Sequence, residues 1–403
     1  MTTPPSCKPK PRVLISAMLK WYLHHTAKAF EHSDSLAGYW VSNAKPAGLD
    51  PRPYRRIWPY HMLKKPFYHL RSPHLDEWTR WCFLPAYDAW VRQQQIPNDC
   101  NVVMGPMGSC DSLFRLADRQ GRKVIKVFDA PNSHPATCVK LWQDECDVFM
   151  PGYRIPFPAW AVERMSREIE AADLILCPSN FVKESMVSHG VAEEKCFVRH
   201  FGVDTSIFQA REQLPDHPLL VCVGSVCLRK GQQYLFQAFA RFKQSHPGAR
   251  LVCIGGIRPD FRQEWPKWKD SIEHHPAMNH QQIAAVLREA TAFVLVSVEE
   301  GFARVLSEAL AAGLPIIATH ETGITTVTKH REAAWIVPAR DTDALRHAMQ
   351  LLCNDRQLNE RMGRNALAIG RKSNTWQDYG DAILHCLTEE LDSRNVSSLK
   401  NHA

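Results

Sequence analysis

SVEEGFARVLSEALAAGLPIIATHETG, residues 297–323, decides how this chain of 403 residues folds. The run AFVLVS (292–297) leads into it and LPIIAT (314–319) closes it, and each has the length and near-continuous apolar character of a buried parallel strand. Between them lie a tight acidic turn, Glu299-Glu300-Gly301, and a helix predicted from near Phe302 through Ala312. Gly313 ends that helix and Pro315 enters the next strand. A strand, a Gly turn and a helix start present free backbone N–H groups and a positive dipole end to an anion, and a phosphate fits there.

The same alternation extends in both directions. Toward the N-terminus the strand-like runs are VLIS (13–16), NVVMG (101–105), KVIKVFD (123–129), LILCP (174–178) and CFVRH (196–200). Around the opening stretch they are LLVCVGS (219–225), RLVCIGG (250–256) and AAWIV (333–337). Apolar runs separated by helical segments read as βαβ units. Two such series predict an α/β protein with two Rossmann-like, doubly wound domains facing a central cleft. The polar stretch TSIFQAREQLPDHP (205–218) carries the boundary. The domains are expected at 1–210 and 211–375, with a C-terminal helix and tail, 376–403, packing back toward the first.

Composition narrows the class. Hydrophobic residues make up 45% and charged residues 23%, which excludes a disordered, collagen-like or coiled-coil chain. No apolar run reaches the roughly 18–20 residues of a membrane-spanning helix, and the first residues lack a signal-peptide apolar stretch, so a cytoplasmic protein is expected. The thirteen Cys form no CxxC pair and read as reduced core thiols. A net charge of +7 suits an anionic small molecule or membrane surface and is too diffuse to argue for nucleic acid.

Within the opening stretch Glu300 precedes the helix and Glu308 lies inside it. Carboxylates accept hydrogen bonds from vicinal hydroxyls. These two are too far apart to share a metal or one scissile bond, but could hold hydroxyl-bearing parts of a long ligand on either side of its phosphates, as in a nucleotide sugar. The plainer reading is an acidic first turn and one exposed Glu. A second segment, GSVCLRKGQQYLFQAFARF (224–242), places Arg229 and Lys230 after a strand. Gly231 then opens an amphipathic helix with Leu235, Phe236, Phe239 and Phe242 on its core face. Adjacent cations can clamp a diphosphate, although a solvated basic loop has the same composition.

Together these segments resemble the family 4 glycosyltransferases, which have the GT-B fold. EGFARVLSEALAAGLPII is similar to the family's E-x7-E segment and LRKGQQYLFQAF to its basic loop and helix. CPSNFVKESMVSHGV (177–191), FGVDTSIF (201–208) and VPARDTDALRHAM (338–350) agree with it. The resemblance implies a retaining, metal-independent hexosyltransferase with a nucleotide-diphosphate sugar as co-substrate and no resident cofactor. Glu300 would hold hydroxyls of the donor sugar and Glu308 the ribose. Arg229 and Lys230 would bind the diphosphate, and backbone groups of Gly301, Phe302, Ala303 and Arg304 would help. The sequence departs from the family at Ser225, where Arg is common, at Ala303 in EGFA, and in having no Gly-rich loop after the first strand.

In the first domain the loop APNSHPATC follows KVIKVFD. His134 in it is a catalytic candidate, Asp129 a weaker one, and His24 and His25 could face the cleft. Residues 40–97, rich in Pro, Trp, Tyr and Arg, read either as core aromatics of an irregular insertion or as a basic aromatic surface meeting a membrane or sugar rings. This tilts the expected acceptor toward a polysaccharide or lipid-linked carbohydrate, with peripheral contact at the inner membrane face, in polysaccharide, lipopolysaccharide or glycolipid synthesis of the cell envelope. Asp341-Thr342-Asp343 has the DxD pattern of another transferase fold, but its position predicts a helix cap. A dehydrogenase would need G-x-G-x-x-G after an early strand, and 13–40 has none. A non-catalytic GT-B-like nucleotide or sugar binder is the alternative.

Overall fold

The computed structural model describes residues 9–18, 22–41, 48–50, 52, 54–56, 73–204, 206–211, 213–372 and 375–400. Two all-parallel sheets form its frame. The first contains β1 (Val13–Ala17), β2 (Leu36–Val41), β3 (Tyr54–Arg56), β4 (Val102–Pro106), β5 (Ile125–Asp129), β6 (Leu174–Cys177) and β7 (Cys196–Val198), in the order β3-β2-β1-β4-β5-β6-β7. The second contains β8 (Leu219–Val223), β9 (Arg250–Ile254), β10 (Glu273–His275), β11 (Ala292–Leu295), β12 (Ile316–Thr319) and β13 (Ala334–Val337), in the order β10-β9-β8-β11-β12-β13. The chain winds outward from one central strand, then jumps to its other side. The order therefore reverses between β1 and β4 and between β8 and β11, and such reversals open crevices at the carboxyl ends of strands.

The helices that cover the sheets are α1 (Leu23–His32), α2 (Pro73–Arg92), α3 (Asp111–Arg119), α4 (Pro135–Phe149), α5 (Ala159–Glu170), α6 (Asn180–Ser188), α7 (Gln232–Ser245), α8 (His280–Arg288), α9 (Arg304–Ala311), α10 (Thr342–Asn354), α11 (Arg356–Arg371) and α12 (Trp376–Lys400). Covered on both faces, β1, β4 and β8 bury every residue, which is why they read as unbroken apolar runs. Leu235, Phe236, Phe239 and Phe242 of α7 are fully buried against the second sheet.

Some strands and boundaries differ from the sequence reading. β2, β3 and β10 were not expected. The segment 40–97 holds the end of β2, all of β3 and the long helix α2, so in its described part it is not simply irregular. Trp40 and Trp81 there are buried in the first-lobe core, whereas Trp58 and the side chain of Trp78 lie outside the described residues. α9 starts at Arg304, two residues beyond Phe302, and Gly313 follows its C-cap at φ +64°. Asp341 caps α10, accepting from the backbone N–H groups of Asp343 and Ala344. Among the described residues no helix is long and apolar enough to cross a membrane.

Two elements belong to one lobe by sequence and dock on the other. From α4, Trp142 Nε1 donates to Asp260 at 2.9 Å, and buried Glu145 accepts from Gln233 (2.7 Å), Tyr234 (2.8 Å) and Arg340 (2.6 Å) of the second lobe. The C-terminal α12 runs back onto α1. There His25 stacks on Trp376 at 4.4 Å, Ser33 Oγ donates to Asp381 at 3.0 Å, and Gly380 meets the Ala29 side chain.

Candidate active site

The site is built at the ends of β8 and β11, where the second sheet reverses. Beyond β8 a short turn, Leu228–Lys230, carries the two cations, and Gly231 at φ +72° swings the chain into α7. Buried Gln232 pins this turn: its carbonyl accepts from Cys227 N (3.2 Å) and its amide donates to Ser225 O (3.0 Å). Val298 N donates to Arg229 O at 2.9 Å, so a backbone hydrogen bond ties the cationic turn to the segment that leads into the acidic turn after β11.

Lys230 pairs with the Glu300 carboxylate. Arg229 Nη1 donates to Glu299 O (2.7 Å) and Glu299 Oε2 (2.9 Å) and lies 3.6 Å from Glu300 Oε2. Burial opposes the charge on Glu300, but Lys230 and then Arg229 outweigh it and hold the carboxyl below its usual range. Burial likewise opposes charge on Arg229, and Glu300 and Glu299 reverse it. Both directions favour the charged forms of Glu300 and Arg229.

Glu308 is only 4% exposed, so it is not the exposed helix Glu of the plainer sequence reading. Its Oε1 lies 3.3 Å from His280 Nδ1, and its Oε2 is buried without a hydrogen-bond partner. Burial raises its carboxyl pKa against the pull of His280 and Arg304. An unpartnered buried oxygen costs about 1–3 kcal/mol, and a hydroxyl donor would relieve it. Phe302 and Ala303 bury their side chains in the core. Ala303 is the N-cap of α9, whose N-terminus no side chain caps, and Arg304 beside it is exposed.

The first lobe closes on this cluster through the loop after β5. A Cβ built on Gly301 would sit 2.7 Å from the Pro131 carbonyl carbon and nearer still to its oxygen. Ser179 Oγ donates to Gly301 O at 2.5 Å. Glu299 accepts from Ser133 N (3.1 Å), Ser133 Oγ (2.7 Å) and Asn132 Nδ2 (3.2 Å). A cavity of about 370 Å³ remains at the junction. Asn132, Trp142 and Phe157 line it from the first lobe, and Arg229, Lys230 and Arg258 from the second.

The structure thus brings Glu300, Arg229, Lys230 and the start of α9 together, with Glu308 further along that helix. It uses His134 differently. That ring caps α4, with Nδ1 accepting from Ala136 N at 3.3 Å, and stacks on His189 at 4.0 Å, while its backbone N–H donates to Ser185. These contacts turn it toward α6. Burial, with His189, pushes its pKa down to about 4, so it is neutral at pH 7. His25 faces α12 and His24 packs on His25 at 3.8 Å, so neither described contact is with the acidic turn. Asp129 is buried and accepts from Tyr22 Oη at 2.7 Å; burial raises its pKa to about 7 against that hydrogen bond. Glu299, Ser133 and Arg258 were not singled out from sequence. Only the adjacency of Glu299 to Glu300 and the place of Ser133 beside His134 pointed toward them.

Comparison with known proteins agrees with this fold. The fold is GT-B: sucrose-phosphate synthase from Thermosynechococcus elongatus superposes with a TM-score of 0.70 at 17% identity, covering 96% of this chain and 100% of that one. Anabaena HepE in complex with UDP and glucose superposes with a TM-score of 0.65 at 13% identity, covering 94% and 100%. Residues 204–368 match the family described as glycosyl transferases group 1. The putative colanic acid biosynthesis glycosyltransferase WcaL of Salmonella typhimurium is 29% identical over 43% of this chain, and the chain spans about half its length, 46%. A D-inositol 3-phosphate glycosyltransferase from Xylanimonas cellulosilytica is 26% identical over 70% of this chain and 72% of its own.

Proposed function

We propose that this protein is a retaining family 4 glycosyltransferase that moves a hexosyl group from a nucleotide-diphosphate sugar to an acceptor hydroxyl. The observation that carries the reading is that Arg229 and Lys230 both line one interlobe cavity, with Glu300 paired to Lys230 and leading along the chain to the uncapped start of α9. As the glycosidic C–O bond breaks, negative charge grows on the leaving diphosphate. Lys230, Arg229 and the helix dipole stand where that charge develops, and each such group is worth about 3–4 kcal/mol of barrier. Glu300, ionised and braced by Lys230, orients the sugar for attack. Glu308 takes a ribose hydroxyl on its unpartnered oxygen. The first lobe excludes water from the activated sugar. The diphosphate charge is assigned to these cations rather than to a metal, and Asp341 of the DxD pattern is engaged in capping α10.

WcaL, by its name, acts in colanic acid biosynthesis. That name supports a carbohydrate or lipid-linked acceptor of the cell envelope. We further place the reaction in the cytoplasm, with the positive net charge of the chain suited to peripheral contact at the inner membrane face. The test is a panel of nucleotide sugars, scored for donor hydrolysis and transfer, after thermal shift with UDP, GDP and ADP has identified the base. Stabilisation by one nucleotide with turnover of its sugar supports the proposal. Stabilisation without turnover of any donor would favour the non-catalytic binder.

A further inference from the structure

We infer that Glu299 is a positioning residue for transfer, setting the donor clamp in place only when the first lobe's loop is docked. This deepens the reading of the cleft as a glycosyltransferase site and rests on it. Glu299 is 0% exposed. A carboxylate persists at such depth only with its charge paired and its lone pairs occupied. Its partners come from both lobes: Ser133 N, Ser133 Oγ and Asn132 Nδ2 on one side, Arg229 Nη1 on the other. A role in stability alone is a poor account of this arrangement, because a well-packed apolar residue often replaces a buried ion pair at no loss. A carboxylate adds direction.

That direction is tied to the chemistry. Glu299 is followed by Glu300, the partner of Lys230, and its own partner Arg229 lines the junction cavity. With the loop docked, three donors from Asn132 and Ser133 fix the carboxylate, and the carboxylate fixes the Arg229 guanidinium beside the cavity. With the loop undocked, the carboxylate loses those three partners and holds Arg229 less firmly in that place. The barrier is thereby lowered chiefly when the first lobe is seated and water is excluded, which couples bond breaking to the presence of the acceptor side.

The experiment uses the full chain, the donor it turns over and the matching nucleoside diphosphate. Glu299→Gln should lower kcat about 10²-fold through loss of alignment and leave nucleoside diphosphate affinity within about threefold, a loss confined to the transition state. Ser133→Ala should lose kcat in the same sense by about tenfold, and the double variant should be no worse than Glu299→Gln, because the pair acts as one unit. Unchanged kcat in Glu299→Gln, or an equal loss of nucleotide affinity, would overturn the inference. So would full activity in Ser133→Ala, which carries the test alone if Glu299→Gln does not fold. Lys230→Ala separates the two levels. If it binds nucleotide and turns over donor normally, the glycosyltransferase reading of the cleft fails. If it is impaired while Glu299→Gln is normal, only the positioning role fails.

Discussion

Gly301→Ala probes how closely the lobes meet during turnover. Gly301 is not among the glycines with positive φ, so alanine is compatible with its own backbone. The new methyl would instead lie 2.7 Å from the Pro131 carbonyl carbon, in the opposite lobe, where real Cβ atoms keep at least 3.0 Å and the carbonyl oxygen is closer still. Relief requires the loop or the acidic turn to retreat by roughly 1 Å, a displacement of the size that costs about 10² in rate when it misaligns reacting groups. The cost in stability should be modest. Overpacking costs about 1–3 kcal/mol, partly offset by about 0.4–1 kcal/mol from the stiffer unfolded chain. Donor turnover, nucleotide affinity and thermal midpoint of the purified variant give three separate readouts. The expected pattern is a large fall in kcat, a small fall in midpoint and near-normal nucleotide binding. Turnover within about threefold of wild type would mean that the catalytic arrangement differs from this one, since a 1 Å gap is then tolerated.

Four further outcomes follow from the same geometry. Glu300→Ala and Lys230→Ala should each lose most transfer, about 10²–10³-fold, with the fold intact by circular dichroism; normal turnover in either removes it from the site. Glu308→Gln should weaken nucleotide binding without destabilising the protein, because it removes a buried carboxylate with an unpartnered oxygen; urea denaturation and nucleotide titration measure the two signs. His134→Ala should cost about 0.5–2 kcal/mol as a lost N-cap while His134→Asn restores stability and turnover; failure of Asn to restore turnover would make the ring catalytic. Asp129 has a pKa of about 7 in the fold against 3.8 as its ordinary value, so the native state holds its proton more tightly than the unfolded chain. Its contribution is complete below about pH 4 and declines as pH rises to about 7, by roughly 4 kcal/mol at most. Asp129→Asn should therefore stabilise at pH 8 and be near neutral at pH 4, and an equal effect at both pH values would refute this.

The central strands were legible because burial on both faces leaves no polar alternation to confuse them. β2, LAGYWV, was obscured by Gly38 inside an aromatic-rich segment, and β3 (YRR) and β10 (EHH) are edge strands with polar side chains and no apolar signature. Each half of the site was visible as a local motif, Arg229-Lys230 in one and Glu300 with Glu308 in the other. Their mutual pairing was not, because it spans 70 positions and depends on β8 lying beside β11. Glu299 was harder still, since Ser133 is 166 positions away and no periodicity links them. His134 shows the converse problem: a strand-end loop is where a sheet places both helix caps and ligand groups, and residue type alone does not separate them.

The reach of α4 into the second lobe has a consequence for rebuilding such proteins. Glu145 satisfies Gln233, Tyr234 and Arg340 at once. Grafting a foreign first half onto residues 211–375 would therefore bring an unmatched helix against those three groups unless it supplied a carboxylate at the same height. Hybrids joined at the apparent linker should express poorly, while hybrids that retain residues 135–149 with the second half should recover, placing the true seam for recombination inside the first half of the chain.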